Sequence, residues 1–265
     1  MFTPIEIIII LLIGAGAGIF TGIMGGSGVV VVVPMLTLFL AFDPHTAIGT
    51  SLLINIIAAV VTSVIYYRHQ NIYVKPALWI AFGSVIGAQA GSVFADMIPS
   101  VGLSKLFGLM LTPMGVLIWL RGIRRTIGGT QDSQENNTLP VETRRGRLIA
   151  FGLGLFVGIM CGLFGAGGGG MIFIILIFAL HYPIHLAVGT SSLIMAITAT
   201  SGTIGYAIQS NIDIYTALIA SVPTVLAAWI GAWVANRVDE KTLGRIIGLI
   251  LIVFGVVMIV TQYIF

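Results

Sequence analysis

Two glycine-rich stretches supply the groups best suited to holding a small anion. The first is Gly22-Ile23-Met24-Gly25-Gly26-Ser27-Gly28, and the second is Gly162-Leu163-Phe164-Gly165-Ala166-Gly167-Gly168-Gly169-Gly170. Each glycine costs a helix roughly 1 kcal/mol against alanine, so runs this dense predict breaks. A broken backbone turns sharply and exposes N–H groups. New apolar runs start at Val29 and at Met171, which places those N–H groups at helix N-termini. There the aligned peptide dipoles leave partial positive charge. The donors expected for an oxyanion are Gly25, Gly26, Ser27 and Gly28 on one side, and Gly165, Gly167, Gly168 and Gly169 on the other. Close helix packing is the competing use for so many glycines. A dinucleotide-binding loop is a poor alternative, since no strand–helix–strand context surrounds either run.

Three further sets accompany the breaks. Gly49-Thr50-Ser51 and Gly189-Thr190-Ser191-Ser192 bring hydroxyls, which donate to an oxyanion without the desolvation cost of a charge. The same hydroxyls can also bond back to their own helix carbonyls. His45 and His185 each stand shortly before those motifs. They are candidates for carrying a proton during turnover, or for capping the helices they precede. Asn55 has Met195 as its counterpart, and Gln209 has His69, so these polar residues break the symmetry. No carboxylate or cysteine joins the histidines at ligand spacing, so neither a metal nor a cofactor is expected.

The elements that must position these residues are membrane helices. Of 265 residues, 58% are hydrophobic and 8% charged, against about 25% charged in soluble domains. Mean hydropathy is +1.10. The basic residues collect in loops and form no stripe, so nucleic acid is not an expected partner. Single Cys161 makes no intramolecular disulfide. The first apolar run lacks a preceding Lys or Arg, and is expected to be retained as a span. Apolar segments are predicted at about 5–24, 29–42, 46–67, 74–95 and 103–120. The second would span roughly 21 Å as a helix, against about 30 Å of hydrocarbon, so it is read as short or half-spanning. No Asp, Glu, Lys or Arg falls at the centre of any segment, which disfavours a cation pump.

The second half replays the first at the offset that separates Gly22 from Gly162. In that ungapped register His45 falls on His185, Gly49-Thr50-Ser51 on Gly189-Thr190-Ser191, Tyr66 on Tyr206 and Asn71-Ile72 on Asn211-Ile212. The division expected is a first transmembrane repeat at 1–121, a polar linker at 122–147 and a second repeat at 148–265. Six arginines flank the linker (Arg121, Arg124, Arg125, Arg144, Arg145 and Arg147), which puts it in the cytoplasm. Arg68, Lys75, Arg237, Lys241 and Arg245 then lie inside. Asp96, Asp213 and both termini lie outside. Each half makes an odd number of crossings, so the halves are expected in opposite orientations. The fold predicted is an all-α polytopic membrane protein of two inverted repeats, each with about five helices or half-helices, whose broken helices meet near the midplane.

The duplicated breaks, each followed by a short helix and an Ala-x-Gly-Thr-Ser motif, resemble the sulfite exporter TauE/SafE family. The motifs here are Ala47-Ile48-Gly49-Thr50-Ser51 and Ala187-Val188-Gly189-Thr190-Ser191. The resemblance covers Ile5 to Ile259. It implies a secondary transporter for sulfite or an organosulfonate such as sulfoacetate in the bacterial inner membrane. The chain departs from the motif in having Ile174 where Pro34 stands in the first copy, and Val29-Val30 opposite Gly169-Gly170. The partners implied are a small anionic substrate and the lipid bilayer; a homo-oligomer is compatible with the sequence. An anion channel would use the same residues without coupling. An intramembrane sulfur-handling enzyme would need Cys161, which has no base within a helical turn, so the chain is not expected to be an enzyme.

Overall fold

The structure is a computed structural model. It describes residues 3–98, 144–164, 167–178, 180, 182–239, 242–243, 245–246 and 249. The predicted fifth segment, the linker up to 143 and the end of the chain lie outside the described residues. So does Gly165.

Every described element is helical. The first half gives α1 (Pro4–Met24), α2 (Val29–Phe39), α3 (Pro44–Arg68) and α4 (Val74–Asp96). The second gives α5 (Arg144–Phe164), α6 (Gly167–Phe178), α7 (Ile184–Ile208) and α8 (Ile214–Ala235). All but α2 and α6 are long and apolar enough to cross a bilayer. Local signals set the ends. Thr3 and Glu6 form a reciprocal capping box ahead of α1, with Pro4 at its first turn. Gly25 closes α1 in the left-handed region at φ 61°, its N–H bonded to the Thr21 carbonyl. Asp43 caps α3 through the His45 N–H, and Asp213 caps α8 through the Thr216 N–H.

The second break is shorter than the glycine content predicts. Helix α6 resumes at Gly167, so four glycines form its first turn instead of a loop leading to Met171. Tertiary contact overrides propensity here. A Cβ at Gly169 would lie 2.8 Å from the Ser27 nitrogen, a spacing that only glycine allows.

The halves are interlocked. Helix α1 packs against α8, and α5 against α4, so the first helix of each half lies on the fourth helix of the other. Small residues at four-residue spacing make both seams. Along the first, Gly14 meets Ala220, Gly18 meets Thr224, and Gly22 meets Ala228, each against backbone. Along the second, Gly83 meets Phe151, Gly87 meets Leu155 and Gly91 meets Ile159. Numbers rise together in both seams, so the paired helices run parallel. Thr224 Oγ1 adds a 2.9 Å bond to the Gly14 carbonyl.

Helices α3 and α7 form the centre. They run in opposite senses, since Gly49 meets Tyr206 while Leu52 meets Gly202. Tyr66 and Tyr206, both fully buried, reach the carbonyls of Gly22 and Gly162 at 3.5 and 3.0 Å. Large apolar residues cover the outside, among them Ile5, Leu12, Phe82, Val222 and Leu226. That surface suits hydrocarbon, where no other partner is needed. At the helix ends Arg147 lies 5.7 Å from the Trp79 ring and Arg237 lies 3.6 Å from the Trp233 ring. These aromatic–arginine pairs have the composition of a membrane interface.

Candidate functional site

The first break sits in the middle of the helix packing. Its residues from Met24 to Gly28 are all buried. Ser27 caps α2 twice over, with its Oγ 3.3 Å from the Val29 nitrogen and its carbonyl 3.3 Å from the Val30 nitrogen. Asn55 of α3 completes the cap, since its Oδ1 accepts from the Gly28 N–H at 3.0 Å and lies 3.4 Å from Thr21 Oγ1. That bond fixes which way the amide points. The carboxamide oxygen faces the helix end, and Nδ2 is left to donate elsewhere. Asn55 is 1% exposed, and its Nδ2 has no partner. Among the described residues it is the single buried side-chain nitrogen in that condition. Leaving such a donor unpaired costs about 1–3 kcal/mol.

The second break meets the first directly. A Cβ built at Gly169 would lie 2.8 Å from the Ser27 nitrogen and 2.9 Å from the Gly26 carbonyl carbon. A Cβ at Gly26 would in turn lie 3.6 Å from the Gly170 nitrogen. The starts of α2 and α6 therefore abut through backbone at Gly169, while the Met24 side chain lies 3.3 Å from the Cβ position at Gly26. Gly167 and Gly168 lie in the same first turn of α6. In this arrangement the junction is shut.

The Gly-Thr-Ser motifs bind the two halves to each other. Ser191 Oγ donates to the Gly25 carbonyl at 2.9 Å and shares the proton with the Val188 carbonyl at 3.0 Å. A Cβ on Gly25 would run into the Val188 carbonyl oxygen. One position earlier, Thr190 Oγ1 accepts from the Tyr73 N–H at 3.0 Å. Thr50 Oγ1 accepts from the Asp213 N–H at 2.9 Å. Each threonine thus holds the loop that leads into the fourth helix of the opposite half. Gly49 and Gly189 give those loops room, lying against the carbonyls of Asn211 and Asn71. Ser51 and Ser192 bond back to the Ile48 and Gly189 carbonyls at 2.7 and 2.8 Å. Ser191 is thus the motif hydroxyl that the structure brings to the first break. Thr50 and Thr190 stand at the loops.

The two histidines also occupy matching places. His45 Nε2 lies 3.1 Å from the Ala95 carbonyl, and His185 Nε2 lies 3.0 Å from the carbonyls of Ala235 and Val238. Both rings cap the C-terminal end of the fourth helix in their own half, where a donor meets the negative end of the helix dipole. His45 Nδ1 is also 3.2 Å from Asp43. Nearby Tyr182 lies 5.7 Å from the Tyr73 ring. Burial, with Tyr73 adding to it, pushes the Tyr182 phenol up to about 12, so it stays neutral at physiological pH. Cys161 is fully buried within α5. Among the described residues no three His, Cys, Asp or Glu side chains group as metal ligands.

Sequence reasoning missed Thr21, which touches Asn55, and the Asn71 and Asn211 loops. The repeated Asn-Ile pair at 71–72 and 211–212 was the available signal. It marks the loops that receive the Gly-Thr-Ser motif of the other half.

Chemically, the junction offers uncharged donors and a helix N-terminus. No Asp, Glu, Lys or Arg is buried among the described residues. Uncharged donors and a helix start of this kind suit an anion through dipoles and hydrogen bonds, with no fixed counter-charge.

Comparison with known proteins places this architecture. The family described as "Sulfite exporter TauE/SafE" matches residues 10–258. The chain is 28% identical to "Probable membrane transporter protein YunE" of Bacillus subtilis, over 94% of this chain and 95% of that one. It is 30% identical to "Probable membrane transporter protein YdhB" of the same organism, over 85% and 89%. It is 26% identical to "Probable membrane transporter protein MJ0441" of Methanocaldococcus jannaschii, over 95% and 94%. No solved structure matches. With its apolar helices, its interlocked halves and a family match over nearly its whole length, the chain is a multi-pass membrane transporter that belongs to the sulfite exporter TauE/SafE family.

Proposed function

We propose that the protein is a secondary transporter that carries sulfite or a small organosulfonate across the bacterial inner membrane by alternating access. One observation carries the reading: the starts of α2 and α6, one from each half, abut through Gly26, Ser27 and Gly169 at the centre of the packing. Two half-helices whose N-termini converge from opposite halves are the arrangement in which broken helices hold an anion near the midplane. The opposite sense of α3 and α7 supports an inverted relation between the halves. On this reading the linker faces the cytoplasm and both termini face out. Gly25, Gly26, Ser27 and Gly28 lie on one side of the substrate and Gly167, Gly168 and Gly169 on the other, with Asn55 and the Ser51, Ser191 and Ser192 region around them. Thr50 and Thr190 steady the loops that move with the halves. Rocking of the halves parts the junction towards one face at a time.

The test is sulfite flux in proteoliposomes, with sulfoacetate, sulfate and chloride as competitors, with and without a pH gradient. Saturable flux that runs uphill on an imposed gradient is expected. Passive flux that never exceeds equilibrium would turn the reading into a channel. Absent flux of every sulfur anion from folded protein would remove the substrate assignment.

A further inference from the structure

The junction is not symmetric, and its asymmetry bears on the charge of what it binds. Asn55 presents an amide donor at the start of α2, while Met195 holds the matching place in the second half and is fully buried. Asn55 Oδ1 is engaged by the Gly28 N–H, so the amide cannot turn its oxygen towards a ligand. Its Nδ2 is buried without a partner. A buried donor left in this state is costly, and a ligand oxygen is the partner that the position lacks. Positive charge around it is limited. No Asp, Glu, Lys or Arg is buried among the described residues, and a helix N-terminus supplies only about half an elementary charge. Two abutting helix starts together match about one negative charge, and a second would enter the low-dielectric centre uncompensated.

We infer that the site takes one monoanion, seated at the start of α2 with an oxygen on Asn55 Nδ2, and discriminates against dianions of the same shape. The inference rests on the anion-transport reading and narrows it. For sulfite the bound species is then bisulfite, whose remaining proton is lost near neutral pH. For sulfonates it is a singly charged one; sulfoacetate, with its added carboxylate, is disfavoured.

The experiment measures competition against radiolabelled sulfite uptake, and binding by thermal shift of the purified full-length protein. Methanesulfonate is a monoanion at any working pH, and sulfate is a dianion. Methanesulfonate should compete at least tenfold better than sulfate. Raising the pH should weaken the apparent affinity for total sulfite while leaving that for methanesulfonate flat. Asn55→Asp keeps an oxygen for the Gly28 N–H but, when ionised, sets a negative charge where the donor stood, so it should weaken binding at least tenfold with the helical fold intact. Asn55→Leu, similar in volume and uncharged, separates loss of the donor from added charge and should also weaken binding at least tenfold. If Asn55 only caps α2, Asn55→Leu lowers the ligand-free unfolding midpoint and leaves the affinity unchanged. Sulfate competing as well as methanesulfonate, or unchanged affinity in Asn55→Leu, overturns the inference and leaves anion transport standing. Binding of formate and nitrate with no sulfur anion bound would sustain the monoanion site and overturn the sulfur assignment. Binding of none of these anions overturns both.

Discussion

Ser191 donates a hydrogen bond to the carbonyl of Gly25 at 2.9 Å, joining the Gly-Thr-Ser motif of one half to the glycine break of the other. Gly25 can offer that carbonyl because its left-handed conformation ends α1 there. A chain feature and its contact partner thus come from opposite halves, and the same crossing recurs at Gly169 with Ser27, at Thr50 with Asp213 and at Thr190 with Tyr73.

Gly25→Ala meets two obstacles at once. The φ of 61° costs a residue with a Cβ about 1–2 kcal/mol, and the new methyl would also strike the Val188 carbonyl. A loss of at least that strain is expected in thermal or denaturant unfolding in detergent. A variant as stable as wild type would show that the turn tolerates a different geometry.

Gly169→Val forces the two helix starts apart, because its Cβ would lie 2.8 Å from the Ser27 nitrogen. The outer face of α6 is untouched, so the helix content measured by circular dichroism should survive while substrate flux falls at least tenfold. Normal flux from a folded Gly169→Val protein would mean that the junction does not close during transport.

Thr50→Val and Thr190→Val each remove the side-chain acceptor of one part-buried backbone N–H, that of Asp213 or of Tyr73. Each should cost about 0.5–1.5 kcal/mol. The two bonds lie in different loops, so the double variant should lose close to the sum. Unfolding midpoints of the four proteins decide the matter. A double variant no worse than either single one would mean that the loops open together.

Proton coupling through the histidines is separable from their capping role. Replacing both His45 and His185 by glutamine retains a donor for the carbonyls of Ala95 and Ala235 but removes the imidazole that a proton-carrying role requires. If the rings carry the proton, exchange of substrate for substrate persists and the response to a pH gradient disappears. A gradient response equal to wild type would assign both rings to helix capping alone.

Cys161→Ser should transport at the wild-type rate, since the thiol is fully buried within α5. Loss of turnover in a protein that still folds would reopen a covalent role for it.

Much of the fold was legible because apolar run length and punctuation agree. Gly25 and Asp43 with Pro44 mark ends that the structure reproduces within a few residues. The repeat register, read from sparse polar residues, reappears as matched contacts of Tyr66 and Tyr206 and of His45 and His185. The start of α6 was not legible. Propensity argues against a helical turn of four glycines, and only the backbone of Ser27 across the junction explains it. The assignment of hydroxyls was half legible. Sequence spacing puts Thr50, Ser51, Thr190 and Ser191 on consecutive positions, but a 100° step between neighbours on a helix sends Thr190 to a loop and Ser191 to the break. The value of Asn55 was visible only as an asymmetry against Met195. Its orphaned nitrogen depends on where Gly28 points.

The seam between α1 and α8 also governs how the protein is made. The Thr224 hydroxyl that binds the Gly14 carbonyl lies 210 residues further along the chain. When α1 leaves the ribosome, its partner has not been synthesised, and its glycine face must wait in lipid until the last described helix is inserted. The second seam can close sooner, because α5 follows α4 across only the predicted fifth segment and the linker. Synthesis order therefore predicts α4 and α5 docking first and α1 captured late. Truncation before α8 would leave a chain whose earliest helix never finds its mate, a natural substrate for membrane quality control.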